Sequence, residues 1–140
     1  MRSILLLLIT TLIASACASS EKNSNREADI ENLVSLNPPG DREQEESTIY
    51  IDSVETITYE NSRALLISGS FPDACTHLSA ASDTLIDGSL HITLEAWRES
   101  DRMCAQVLTS YSYIYSDIPV DVLSEISSVT INDRSYPINR

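Results

Sequence analysis

Glycine is scarce in this chain, with three residues in 140. A fold with many tight turns normally uses more, because glycine reaches positive φ without steric cost. Turns must therefore lean on Asn, Asp, Ser and Pro. Basic side chains are also scarce, nine against 21 acidic ones, for a formal net charge of −12. No basic stripe is present to neutralise phosphates, which disfavours nucleic acid as a partner. Adhesion to an anionic bilayer by charge is disfavoured on the same ground. Only two histidines occur, His77 and His91, and no G-x-S-x-G, H-E-x-x-H, C-x-x-C or D-x-D-x-D-G pattern appears anywhere. Nucleophile-elbow hydrolases, zinc sites and calcium loops thus lack support, and neither a metal nor a cofactor is expected. The apolar run Ile4 to Ile13 is shorter than the roughly 20 residues a membrane-crossing helix needs.

What is present begins with a leader. Arg2 supplies a positive end, Ile4 to Ile13 an apolar run, and Ala14-Ser15-Ala16 a small-residue processing site. Together they read as a secretory signal peptide over residues 1–16. The stretch "ASAC", ending in Cys17, resembles the lipobox of bacterial lipoproteins, with Ala14 where leucine is usual. The resemblance implies that Cys17 becomes the lipidated first residue of the mature chain. Each buried acyl methylene contributes about 0.8 kcal/mol, so two or three chains hold a protein firmly on a membrane. Simple cleavage after Ala16 would instead leave Cys17 as a free thiol. The expected address is outside the cytoplasm, anchored to the cell membrane by lipid. Ala18, in place of an aspartate, points to the outer membrane if the host is Gram-negative.

Residues 17–47 are polar and charged and contain "NPPG" and "DREQEES". They read as a disordered acidic tether. From Thr48 to the end the pattern has period two and reads as one domain, residues 48–140. "SLHITLEAW" alternates, with Leu90, Ile92, Leu94 and Ala96 on one face. Asp87-Gly88 before it marks a type I′ hairpin turn, and "NDR" marks another at Asn132-Asp133. In "TIYIDSVETITY" the apolar parity switches between Ile51 and Val54, which predicts a bulge or a strand shared between two sheets. Several short strands with turn signals between them predict an antiparallel β-sandwich of about seven strands.

If Cys17 carries lipid, Cys75 and Cys104 remain, and an oxidising compartment favours their pairing. Two buried free thiols are the alternative. A link across the roughly thirty residues between them would contribute about 3 to 4 kcal/mol through the entropy of the unfolded chain. "SGSFPDACTHL" followed by "RESDRMCAQVLTSY" resembles an uncharacterised domain of bacterial secreted and lipid-anchored proteins. The matching positions are Gly69, Phe71, Pro72, Asp73, Cys75, Arg98, Asp101, Cys104, Ala105 and Gln106. The resemblance implies an all-β, immunoglobulin-like sandwich with a Cys75–Cys104 disulfide, and carries no activity with it. "SEISSVTINDRSYPI" departs from the pattern in lacking a glycine-bearing turn.

Two places suit recognition. Phe71-Pro72-Asp73 is good turn chemistry beside a stiffening cysteine, so Phe71 and Asp73 are candidate binding residues. The competing reading has Phe71 plugging the core. Tyr111, Tyr113 and Tyr115 alternate and so share one strand face, either as a stacking surface or packed inside. Arg98 and Asp101 read as a loop-stabilising ion pair. The expected function is a non-catalytic binding or structural module of the cell envelope, held on the membrane by acyl chains and meeting a protein or glycan partner. An inhibitor of an envelope or secreted enzyme is a special case. A glycan hydrolase with paired carboxylates is the competing class.

Overall fold

The computed structural model describes residues 30–139; the expected leader and Cys17 lie outside the described residues. Eight strands and one helix follow in the order β1 (Gln44–Glu46), β2 (Tyr50–Tyr59), β3 (Ser62–Phe71), β4 (Thr76–Ile86), β5 (Ser89–Glu99), β6 (Thr109–Tyr115), α1 (Val120–Glu125), β7 (Ser128–Ile131) and β8 (Arg134–Asn139). They form the expected β-sandwich, and Cys75 is bonded to Cys104.

The glycine shortage is met by asparagine and acidic residues at positive φ. Glu60-Asn61 (φ 46° and 64°), Asp87-Gly88 (49° and 77°) and Asn132-Asp133 (47° and 65°) each join two antiparallel strands. Paired positive φ is the type I′ geometry, whose twist matches that of the strands it joins. Asn and Asp tolerate it because their short polar side chains bond locally. Of the three turns, only Glu60-Asn61 had no signal in the sequence. Gly69 is needed for another reason: a Cβ there would meet the Tyr50 carbonyl oxygen at 1.9 Å. It lies opposite Ile51, next to a register shift between Ile51 and Ser53. That shift is the bulge the parity switch predicted.

One layer holds β2, β3 and β6, with β3 antiparallel to both neighbours. In the other, β5 pairs with β4 along one edge and with β1 and then β7 along the other. β8 joins the layers, antiparallel to β7 and briefly parallel to β2. The opposite side, between β4 and β6, has no strand pairing across it. Leu65 and Ile67 of β3 meet Leu90, Ile92 and Leu94 of β5, Val129 and Ile131 of β7 and Leu123 of α1 in a buried core. Burying each large aliphatic side chain stabilises by about 1.5–3 kcal/mol.

Within the expected tether, residues 17–47, the described part is not a tether. From residue 30 the chain is laid on the sandwich. Ser112 of β6 donates its N–H to Asn32 and accepts one from Val34, at 2.9 and 2.8 Å. Asn37 then donates to the Leu78 carbonyl of β4 at 2.7 Å. The strap continues to β1, which pairs with Trp97, Arg98 and Glu99 on the far edge of β5. Its polar composition suggested solvation. Open strand edges, however, offer backbone groups that any extended segment can satisfy, whatever its side chains.

Candidate functional site

The turn after β3 offers Phe71 and Asp73 as candidate binding residues, against the reading that Phe71 plugs the core, and the structure supports the latter. Both are buried, at 5% and 2% exposure, so neither forms an accessible binding loop. Phe71 stacks on Tyr111 with ring centroids 4.4 Å apart. The Asp73 carboxylate accepts the Cys75 N–H at 2.9 Å and the Thr76 hydroxyl at 3.0 Å. Its other oxygen faces Arg98 at 3.2 Å. Arg98 also reaches Glu45 of β1, at 3.0 Å. The expected partner Asp101 is not in this network. Asp101 lies exposed in the turn beyond β5, whereas Arg98 sits directly opposite Thr76 and so beside Asp73. One buried carboxylate thus ties the disulfide-bearing turn to the strap.

The tyrosine row faces inward rather than outward. Tyr111 and Tyr115 are buried at 1% and 4% exposure, and Tyr113 is half-buried. Burial pushes the Tyr111 phenol far above its ordinary range, and nearby Asp52 and Tyr136 add to the shift. Burial does the same to Tyr115, with the hydrogen bond to Asp83 adding to it. The Tyr115 hydroxyl donates to the Asp83 carboxylate across the two layers. The Tyr111 hydroxyl meets no hydrogen-bond partner among the described residues. Tyr113 is raised as well, by burial first and then by Asp117. Alternation placed the three tyrosines on one face, and the core claimed that face.

Trp97 is held by the strap. Its indole N–H donates to the Asn37 carbonyl at 2.6 Å, and the Arg42 guanidinium lies 4.5 Å from its ring centroid. Arg42 is itself fixed by the carbonyls of Pro38 and Pro39. His77 tilts against the same indole at 5.2 Å. "NPPGDR" is thus a lid over a tryptophan.

The accessible candidate site lies along β5. A groove of about 1030 Å³ opens where β1 stops and β7 begins. Across this gap the Asn132 side chain takes the place of a strand: it accepts the Leu94 N–H and donates to the Leu94 carbonyl, both at 2.9 Å. Ser47 donates to the Ala96 carbonyl at 3.0 Å. The local backbone is therefore satisfied, and side chains set the groove's chemistry. Its lining combines apolar Ile49 and Ile51 with the exposed carboxylates Glu46, Glu95 and Asp133. His91 and Arg134 also line it. Such a surface suits an elongated ligand with apolar and positively charged parts. Sequence reasoning missed it. Glu46 stood in a charge run and Glu95 on a polar strand face, and only the pairing of β1 and β7 with one edge of β5 brings them together.

A second hollow of about 620 Å³ lies on β2, β3 and β6, beside Asp52, Glu55, Ser68 and Ser110. Among the described residues, no three His, Cys, Asp or Glu side chains are grouped to hold a metal ion. A family model described as the ORF11 beta-sandwich domain matches residues 65–139, more than half of the chain. No curated protein and no solved structure matches.

Proposed function

The chain belongs to the ORF11 beta-sandwich domain family, and from that premise we propose that it is an exported, lipid-anchored binding module of the cell envelope without catalysis of its own. The single observation that carries the binding role is the groove along β5, with Glu46, Glu95 and Asp133 around an apolar lining. Its ligand is an envelope component with positive charge and an apolar portion. The net charge of −12 adds long-range attraction for such a ligand. The anchor rests on the leader and Cys17. Since the first hydrogen bond of the strap is at Asn32, fifteen residue steps from Cys17 limit the reach from the bilayer to the sandwich to about 50 Å.

Two measurements test this. Mass spectrometry of protein from its own host is expected to find diacylglycerol on Cys17, and an unmodified amino-terminal thiol ends the anchoring claim. Pull-down from envelope extract is expected to recover a component that Glu46→Lys with Glu95→Lys no longer retains. An unchanged recovery ends the groove claim. The competing reading, a glycan hydrolase, would use the same two carboxylates. Release of reducing sugar from envelope glycan that disappears in Glu95→Gln would replace the binding reading.

A further inference from the structure

The chain covers most of its own strand edges. The strap pairs with β6 at Ser112 and with β4 at Leu78. β1, β7 and the Asn132 amide together cover the far edge of β5. Among the described residues, the outer edge of β4 from Ala80 to Ile86, beyond the register shift between Leu78 and Ala80, has no strand beside it. Residues opposite one another in an antiparallel pair either bond to each other or both point away. Ile92 and Leu94 point away from β4, toward Asn132. Their partners Asp83 and Ala81 therefore also point away from β5, and by alternation so does Leu85. Three N–H and three C=O groups are thus aimed outward along one line.

The side chains around them tell what fits. Residues 82–86 are exposed on both faces, with Leu85 at 53% and Ile86 at 49%. The stretch Ala80–Ile86 has no Lys, Arg or Pro, the residues that commonly guard an exposed edge. Its one charge is Asp83, which shares its strand face with Ala81 and Leu85 and is held by the Tyr115 hydroxyl. A second copy of the chain fits poorly. The register that would use all three open residues sets Asp83 against Asp83, about 5 Å apart, where like charges destabilise. Each copy also carries a net charge of −12.

We propose that β4 takes up an extended basic peptide segment of a partner protein as an added strand, with Lys or Arg opposite Asp83 and apolar side chains opposite Ala81 and Leu85. Main-chain bonds hold such a segment, and alternate side chains select it. The site is separate from the groove along β5, so either can fail without the other.

The test uses the peptide acetyl-TVTKTVT-amide, whose valines and lysine share one face. At saturating peptide, amide exchange at Ala81, Asp83 and Leu85 is expected to slow at least tenfold. The same peptide with Glu for Lys, or N-methylated at alternate amides, is expected to bind at least tenfold more weakly. Asp83→Lys is expected to reverse the preference between the Lys and Glu peptides. If that variant unfolds, the peptide series alone decides. The proposal is overturned by equal affinity for the Lys and Glu peptides or by full binding of the N-methylated one. Protection confined to other residues, or protection of the same amides by dimerisation without peptide, overturns it as well.

Discussion

The two ends of the β4–β5 hairpin are built from the same ladder and treated in opposite ways. At the Thr76–Arg98 end, Asp73 gathers three partners, the disulfide closes the adjacent turn, and Trp97 is roofed by Asn37 and Arg42. At the Ile86–Ser89 end, the residues are exposed and the β4 edge has no strand beside it. Regular pairing alone therefore does not make a strand rigid. Stability along a hairpin follows the side-chain burial and cross-links at each point. The cross-linked end serves the fold, and the bare end carries the edge proposed to take an added strand.

Breaking the roofed end is expected to have the largest effect. Trp97→Ala removes a buried indole and the strap's main contact, and should cost about 3–5 kcal/mol. Chemical denaturation measures the loss, and amide exchange should quicken at Val34 and Asn37 together with it. A loss below 1 kcal/mol would mean that the strap contributes little. Cys75→Ser with Cys104→Ser comes next, at about 3–4 kcal/mol, if the link acts by limiting the unfolded chain. Melting with and without reductant should show the same difference in the native protein only.

The tyrosines offer a pH test. Tyr111 and Tyr115 keep their protons in the folded state well above the ordinary phenol range, chiefly because they are buried. Once unfolded they release those protons near pH 10, so the native state then binds more protons and stability falls as pH rises. The contribution is whole below pH 10 and is lost above it, at up to about 1.4 kcal/mol per pH unit for each tyrosine. Urea midpoints from pH 9 to 12 read the slope, and Tyr115→Phe should make it shallower. The smallest effect belongs to the bare end. Ile86→Ser should change stability by no more than about 0.5 kcal/mol. A larger loss would mean that the tip packs on something and would erase the contrast between the two ends.

Much of the architecture was legible because it depends on neighbours in sequence. Asp87-Gly88 and Asn132-Asp133 carry their turn preference within two residues. The parity switch in β2 shows the bulge before Ser53 directly. α1 escaped notice because six residues after Pro119, with Leu123 alone buried, leave too little periodicity to read. The candidate site was far less legible. A row of alternating tyrosines shows that they share a face, but not which face meets the core. Asp73 looked like a loop tip because its partners Thr76 and Arg98 meet only through the β4–β5 register. Asn132 looked like a turn residue and nothing more, yet its amide also fills a missing place in a ladder 38 residues away in sequence.

By itself, the sequence determined two of the three hairpin turns, the strand periods and the excess of negative charge, because each depends on local conformational preference or on composition. Only the tertiary structure decided that residues 30–47 close the sandwich, that the tyrosines lie inside it, and that one edge of β4 is left open. Those outcomes depend on which backbone edges remain unpaired after the sheets form, and hydrogen-bonding capacity along a strand edge is the same for almost every residue.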